Sequence, residues 1–434
     1  MKPASSRPDI EESLHPAFLP PCLPVMRHVR SRTALVLGAV LITVFVLLSQ
    51  HHTILKPINV GSQQPANRPT VPADWSPGSL RDRLLQAYKP DPESTGIPKD
   101  IWQSWKSKDN LDKNFQENVR LWSAQQGFTH HFLDDEEVDS FVRSEFKQFP
   151  EIIAAWDILP RKILKADYFR YLILLANGGF YSDIDTSPTL DLNQWLTEAP
   201  LASLMTANSF PKNNIGVIIG IEEEMDLATW RGLLNRRINL CQWTFASRKG
   251  HPLFVDIVAK IADLALHYYD SNTNVITFPM GYKNLFNMQP AYNMSEGSPN
   301  WYEGIIEWTG PASFTDSFFE TTNMWYIENF KDHLQGTGDE VLCNSENVCI
   351  IDPNKPLNLV SKLNFYPIGD NLQGFKPHLH PIGWENLTLL EYPLLYGEVA
   401  FLPKHFFNSL YTTDDKKGYI HHAFTGTWKW SKDP

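Results

Sequence analysis

One unbroken apolar run near the N-terminus and a series of short apolar blocks after position 96 divide the chain into unlike parts. Thr33 to Ser49, TALVLGAVLITVFVLLS, carries no charge and is apolar on every face. As a helix it is a bilayer-spanning candidate rather than an amphipathic surface helix. At 1.5 Å per residue it reaches about 26 Å, enough for a thin bilayer. Residues 1–32 are polar and Pro-rich without periodicity, and read as a disordered tail. Residues 50–95 carry Pro57, Pro65, Pro69, Pro72, Pro77, Pro90 and Pro92. They read as a stem, interrupted by a short helix over Leu80–Tyr88.

From residue 96 to 434 the pattern is that of one folded domain. Ile101–Trp105 (IWQSW) and Gly127–Leu133 (GFTHHFL) predict buried strands. Asp134 with Glu137 three residues on matches a capping box opening a helix over Glu136–Phe146. Pro160 precedes a helix over Ile163–Ala176, which Asn177-Gly178-Gly179 terminates. Phe180–Asp183, Ile215–Ile221 and Glu398–Leu402 predict further strands. Strands alternating with helices predict an α/β sheet that binds ligands at the carboxyl ends of its strands. Residues 266–396, rich in Asn, Pro, Gly and aromatics, yield no order from pattern alone.

Charge fixes the expected topology. Arg27, Arg30 and Arg32 precede the apolar run, while His51, His52 and Lys56 follow it. The denser positive side predicts a cytosolic N-terminus and a lumenal remainder, a single-pass type II signal anchor. No small-x-small cleavage site follows the run. Two glycosylation sequons, Asn293-Met-Ser295 and Asn386-Leu-Thr388, fall on the expected lumenal side. The net charge of −11 argues against a nucleic-acid partner. With 42% hydrophobic and 20% charged residues the chain can fill a large core, and most of its 14 Trp are expected there. Of the four cysteines, Cys22, Cys241, Cys343 and Cys349, the last two bracket a short polar loop. They fit either a local disulfide or two thiols. There is no Cys-x-x-Cys pair, so structural zinc is not expected.

The chemistry concentrates between Ile163 and Thr186. Asp183-Ile184-Asp185 follows Gly178-Gly179-Phe180-Tyr181 at a predicted strand end. Two carboxylates there suit a Mn²⁺ or Mg²⁺ ion shared with a diphosphate. Asp167 and Arg170 stand three apart on the preceding helix and face one side. They suit a sugar clamp, the plainer alternative being an exposed ion pair. His421 and His422 near the C-terminus offer an imidazole for an ion shell, and Trp428 an N–H for a phosphate; a polar tail packing over the sheet is the alternative. Trp102 and Gln103 on the first strand suit a nucleotide base, or a core position. Held together, these groups point to a sugar-nucleotide-dependent glycosyltransferase.

Five segments resemble one family. They are IPKDIWQSWK from Ile97, KADYFRYLILLANGGFYSDIDT from Lys165, RRINLCQWTFASRKGHPLFVDIV from Arg236, EWTGPASFTD from Glu307 and HHAFTGTWK from His421. In their order they resemble the fungal initiation-specific α-1,6-mannosyltransferases of glycosyltransferase family 32, which start outer-chain growth on N-glycans. The chain departs from the family's pattern at Ala312-Ser313 and in PKHFFNS after the late strand. The resemblance implies a GT-A-type fold, a Rossmann-like mixed sheet flanked by helices. It implies a GDP-mannose donor, Mn²⁺ (or Mg²⁺) and retention of configuration. Under it Asp183 and Asp185 hold the ion and diphosphate, His422 completes the ion's shell and Trp428 closes over the diphosphate. Asp167 and Arg170 contact the donor sugar, Trp102 and Gln103 the nucleotide, and Asp316 the acceptor side. The expected protein is a Golgi mannosyltransferase acting on an N-glycan mannose, in company with other mannosyltransferase subunits. Two alternatives remain open: an inositol-phosphoceramide lipid as acceptor, and a non-catalytic subunit of a mannosyltransferase complex.

Overall fold

Glycine at two successive positions lets a long buried helix turn straight into the middle of a sheet, and the rest of the architecture is built outward from that turn. The computed structural model describes residues 79–89, 96–109, 111–195, 202–203, 215–225, 230, 234–278, 291–330, 334–336, 341–344, 349–351, 387–390, 393–396, 398–407 and 418–426. The apolar run at 33–49, the tail and most of the stem lie outside these residues, as do Thr427 and Trp428. Among the described residues no helix is long and apolar enough to cross a membrane.

In chain order the first half contains α1 (Ser79–Ala87), β1 (Asp100–Ser104), α2 (Lys113–Ser123), β2 (Thr129–Leu133), α3 (Asp135–Glu145), α4 (Pro150–Ile158), α5 (Lys162–Asn177), β3 (Gly179–Ser182), β4 (Thr186–Pro188) and β5 (Ala202–Ser203). Next come β6 (Val217–Glu224), β7 (Ile238–Ser247), α6 (Pro252–Tyr268), β8 (Tyr269–Asp270), β9 (Val275–Thr277), β10 (Ala291–Asn293), α7 (Trp301–Trp308) and α8 (Pro311–Phe330). The chain continues through β11 (Leu334–Gly336), β12 (Val341–Asn344), β13 (Cys349–Ile351), β14 (Leu394–Tyr396), β15 (Val399–Leu402), α9 (Lys404–Phe407) and β16 (Ile420–His422). The strands and helices predicted between Leu80 and Ile221, and the strand at Val399–Leu402, are all present within a few residues of their expected bounds. The capping box at Asp134 and Glu137 is formed in both directions. Pattern alone had not shown α4, β7 or the α6–α8 helices.

The main sheet runs β2-β1-β3-β7-β6-β15-β14-β5. Pairs β2–β1, β1–β3, β6–β15 and β14–β5 are parallel, whereas β7 is antiparallel to both neighbours and β15 is antiparallel to β14. It is therefore a mixed α/β sheet. Successive side chains alternate between its faces. Tyr181, Leu240, Phe245, Val217 and Ile219 join a core with α4, α5 and α6. Phe180, Cys241, Trp243, Ile218 and Leu402 join a second core with Trp122, Trp195 and α9. The β6–β7 register shifts on both sides of Ile221, so Gln242–Trp243 and Glu222 sit at bulges. In the hairpin β12–β13 the backbone register sets Cys343 opposite Cys349.

The turn that joins α5 to β3 needs its glycines. Gly178 and Gly179 have φ of 70° and 96°, which side chains resist. A Cβ on Gly179 would lie 2.6 Å from the Asp100 carbonyl oxygen of β1. Gly179→Ala is therefore expected to cost about 2–4 kcal/mol through backbone strain plus steric displacement. Chemical denaturation of the variant checks this, and a loss below about 1 kcal/mol would contradict it.

Candidate active site

Helix α5 enters the sheet with its polar pair buried instead of exposed. Asp167 and Arg170 keep only 2% and 4% of their exposure, among the apolar residues of the same helix. Arg170 Nη2 lies 2.9 Å from Asp167 Oδ1 and 3.3 Å from Asp183 Oδ1. Its Nη1 donates to the Gln242 carbonyl oxygen at 2.9 Å. The guanidinium also stands over the Tyr181 ring, 5.3 Å from its centroid. Asp167 Oδ2 accepts from Thr309 Oγ1 at 2.8 Å. Burial pushes the Asp167 carboxyl up to about 7, against the pull of Arg170. Burial likewise raises Asp183, again opposed by Arg170. Burial works to lower Arg170, but the charges of Asp183 and Asp167 hold it above its ordinary value. One cation shared by two carboxylates does not fully offset the burial of both.

Asp183 and Asp185 stand in a tight turn between β3 and β4, because β3 ends at Ser182, one residue before the end expected at Asp183. The turn is held from three sides. Asp183 N–H donates to the Trp243 carbonyl at 2.8 Å, Gln103 Nε2 donates to the Asp183 carbonyl at 3.2 Å, and Thr186 Oγ1 donates to that carbonyl at 2.6 Å. So held, Asp183 faces Arg170 and Asp185 faces the C-terminal segment. β16 pairs with β4, and this places His422 Nε2 3.2 Å from Asp185 Oδ1. Thr425 donates to Asp185 Oδ2 from its N–H at 3.1 Å and from its hydroxyl at 2.8 Å. Burial works to raise Asp185, but the His422 bond and charge and the Thr425 bonds hold it below its ordinary value.

Among the described residues no three His, Cys, Asp or Glu side chains converge to hold an ion unaided. A hard divalent ion does not require that, since one or two protein ligands suffice when phosphate and water fill the rest. Neighbouring ligands about 2.1 Å from an octahedral ion lie about 3 Å apart. The 3.2 Å between His422 Nε2 and Asp185 Oδ1 matches such a pair of corners. His422 Nδ1 is buried without a hydrogen-bond partner. The residues present fit a divalent ion.

The charged groups of this cluster border one cavity of about 720 Å³, ample for a nucleotide sugar. Asp167, Arg170, Asp183, Asp185 and His422, expected as a set, line it together. Three other expected residues lie elsewhere. Trp102 and Gln103 do not line the cavity: Trp102 Nε1 donates to the Gly178 carbonyl at 2.9 Å, and its ring stacks on His131. Gln103 is fully buried beneath the DxD turn. The cavity is instead lined by Ser104, Trp105 and Lys106, because ligands meet the carboxyl end of a strand and not its middle. Asp316 also lies away from the cavity. Its carboxylate binds Arg236 at 2.6 and 2.8 Å, and Arg236, 2% exposed, is bound as well by Glu307. Trp428 falls outside the described residues. Sequence reasoning missed Glu222, Gln242, Trp243 and Thr425, which also line the cavity. Gln242 and Trp243 lay within a quoted motif, but no local signal aimed Glu222 inward.

Comparison with known proteins agrees with this geometry. Residues 101–202 match the family described as glycosyltransferase sugar-binding region containing DXD motif. The initiation-specific alpha-1,6-mannosyltransferase of Candida albicans is 29% identical over 376 residues, 84% of this chain and 80% of that one. The protein of the same name from Saccharomyces cerevisiae is 26% identical, with 82% of each chain covered. Inositol phosphoceramide mannosyltransferase 3 of Schizosaccharomyces pombe is 24% identical over 41% of this chain and 40% of its own.

Two expectations follow from the charge cluster. Arg170→Met strands Asp167 and Asp183 in the interior and should cost about 3–5 kcal/mol in denaturant unfolding. Adding Asp167→Asn and Asp183→Asn should recover part of that loss; no recovery would show that the charges are not its source. The second expectation concerns pH. Asp167 titrates near 7 in the folded chain instead of at its ordinary 3.8. Between these values the folded chain holds a proton that the unfolded chain has released. Its contribution to stability is present at the acid end and lost as pH rises towards 7. Asp167→Asn should flatten that fall, measured as unfolding free energy against pH, and an unchanged slope would reject the assignment.

Proposed function

We propose that this glycosyltransferase, whose residues 101–202 match a DXD-containing sugar-binding region, moves mannose from GDP-mannose to a mannose hydroxyl of an N-glycan, as an α-1,6-mannosyltransferase that retains configuration. The names of its relatives from Candida albicans and Saccharomyces cerevisiae support mannose as the transferred sugar. The observation that carries the reading is the joining of two pairs in one cavity: Asp167–Arg170 reaching Asp183, and Asp185 reaching His422. A GT-A-type arrangement agrees with the mixed sheet and with a DxD turn at the end of a central strand.

Asp185 and His422, with Asp183 beside them, would hold a Mn²⁺ or Mg²⁺ ion. Such an ion supplies positive charge against the leaving diphosphate. Trp105, half-buried at the end of β1, offers a face to the guanine base, and Lys106 a cation near the phosphates. Asp167 and Arg170 orient the hydroxyls of the donor mannose. Because both are locked by Thr309, Gln242 and Asp183, the sugar is held by groups that need no rearrangement. As the anomeric carbon loses its phosphate oxygen, the acceptor oxygen bonds to it from the same face. The departing diphosphate takes the acceptor's proton, so a carboxylate nucleophile is not required. The signal-anchor topology, the Golgi membrane and association with other mannosyltransferase subunits belong to the same reading. They rest on the apolar run at 33–49, its flanking arginines and the resemblance of the chain.

A lipid acceptor of the inositol-phosphoceramide type is a second reading. Its support is the match to the inositol phosphoceramide mannosyltransferase, which spans 41% of this chain against 84% for the initiation-specific alpha-1,6-mannosyltransferase of Candida albicans. The intact charge cluster speaks against a non-catalytic subunit. The deciding measurement uses the full chain with Mn²⁺, a set of sugar nucleotides, and high-mannose oligosaccharide and inositol-phosphoceramide side by side. Transfer is expected from GDP-mannose to the oligosaccharide and should fall at least a hundredfold in Asp183→Ala/Asp185→Ala, about the loss expected from removing key charge-stabilising groups. Undiminished transfer by that variant would refute the roles given to the two carboxylates.

A further inference from the structure

Among the described residues six carboxylates border the cavity: Asp135, Asp139, Asp167, Asp183, Asp185 and Glu222. The first five each have a Lys, Arg or His side chain within ion-pair distance. Among the described residues Glu222 has none. Its one hydrogen bond is neutral, from Trp243 Nε1 to Oε1 at 3.2 Å. Its neighbours Glu223 and Glu224 turn to other partners, the ammonium of Lys404 and the N–H of Leu389.

The fold aims this carboxylate inward. The β6–β7 ladder slips between Ile221 and Glu223, so Glu222 falls where β6 carries an extra residue. Bulges of this kind re-aim a side chain beside active sites. Facing the same cavity is a second irregularity. Phe424 has φ of 47°, a left-handed conformation rare for a bulky side chain, and its ring is 42% exposed. Its ring centroid lies 3.9 Å from that of His422 and 6.3 Å from that of Trp243.

His422 and Arg170 act on Glu222 only from beyond ion-pair distance, so this carboxylate without a paired cation disfavours a diphosphate, and the donor's charged end is not its ligand. The donor sugar is already served by Asp167 and Arg170. What remains is a neutral polyhydroxyl compound with apolar C–H faces, which is the chemistry of an acceptor sugar. Building on the function proposed above, we propose that Glu222, Trp243 and Phe424 form the acceptor subsite. Glu222 accepts a hydrogen bond from an acceptor hydroxyl, Trp243 fixes the other carboxylate oxygen, and the Phe424 ring covers the sugar's apolar face. Burial raises the Glu222 carboxyl to about 7, so its charged form gains from the hydroxyl donor that an acceptor brings.

The test compares full-length wild type, Glu222→Gln and Phe424→Ala with GDP-mannose and Mn²⁺. The acceptor probes are methyl α-mannoside and a high-mannose oligosaccharide. Glu222→Gln keeps an oxygen for the Trp243 N–H. Its kcat/KM for acceptor should fall roughly 10- to 100-fold, the worth of a hydrogen bond to a charged group. The KM for GDP-mannose and the Mn²⁺-dependent affinity for GDP should stay within about twofold, a change too small to mark a lost contact. Phe424→Ala should raise the acceptor KM roughly 5- to 10-fold with the same donor values, as for one lost apolar contact. Unchanged acceptor kinetics in both variants would overturn the subsite, as would a parallel loss of GDP affinity and acceptor turnover. Should Glu222→Gln not fold, Phe424→Ala alone decides by the same two readings. A wild type that fails to bind GDP would instead overturn the donor assignment, a result distinct from either.

Discussion

The guanidinium of Arg170 binds two carboxylates that come from different elements, and the geometry of the cavity follows from that sharing. Asp167 arrives one turn earlier on the same helix, and Asp183 from the turn beyond the next strand. Asp167 and Arg170, almost fully buried, keep their charges by pairing, and Asp183 faces the same guanidinium from the cavity side. The helix must therefore end close to the strand that follows it, and the two glycines after Asn177 make so short a connection possible. The same guanidinium takes a backbone carbonyl from Gln242, which ties β7 to the cluster. A pair whose spacing alone matches a weak surface salt bridge is, in the folded chain, buried and paired on both sides.

Strand β7 carries much of the remaining order. It runs antiparallel between β3 and β6 and is buried for nearly its whole length. Its irregular pairing with β6 leaves Gln242 and Trp243 free to serve the site with backbone and side chain together. The Trp243 carbonyl holds Asp183 N–H, and the Trp243 indole holds Glu222. Behind it, Arg236 binds Glu307 and Asp316, joining the start of β7 to α7 and α8. That network explains why Asp316 sits beside a motif that reads as functional: it fixes the wall and not the floor of the cavity.

The C-terminal segment closes the site from a great distance along the chain. Asp185 and Thr425 are 240 positions apart, yet they share two hydrogen bonds. The entropy lost on closing a loop grows only logarithmically with its length, so such a contact is affordable once β16 has paired with β4. The arrangement brings His422 to Asp185 and lays Phe424 across the imidazole. The groups proposed above for donor and acceptor thus meet on one short stretch.

The amino-acid sequence by itself determined what depends on neighbours a few residues away. The Asp134–Glu137 cap, the helix ending at Gly178, the strands at 100–104, 129–133 and 179–182, and the pairing of Asp167 with Arg170 all follow from local periodicity and backbone preference. So did the meeting of Asp183, Asp185 and His422, because their motifs recur in order along a resembling family. Only the tertiary structure decided which residues face the cavity. Trp102 and Gln103 lie in mid-strand and are consumed by Gly178, His131 and the Asp183 carbonyl, while Trp105 at the strand end is left for a ligand. Glu222 points inward because two strands fall out of register, and Asp316 points away because a buried arginine claims it. Register and long-range charge pairing are properties of segments brought together from far apart, and neither leaves a period or a spacing in the sequence to read.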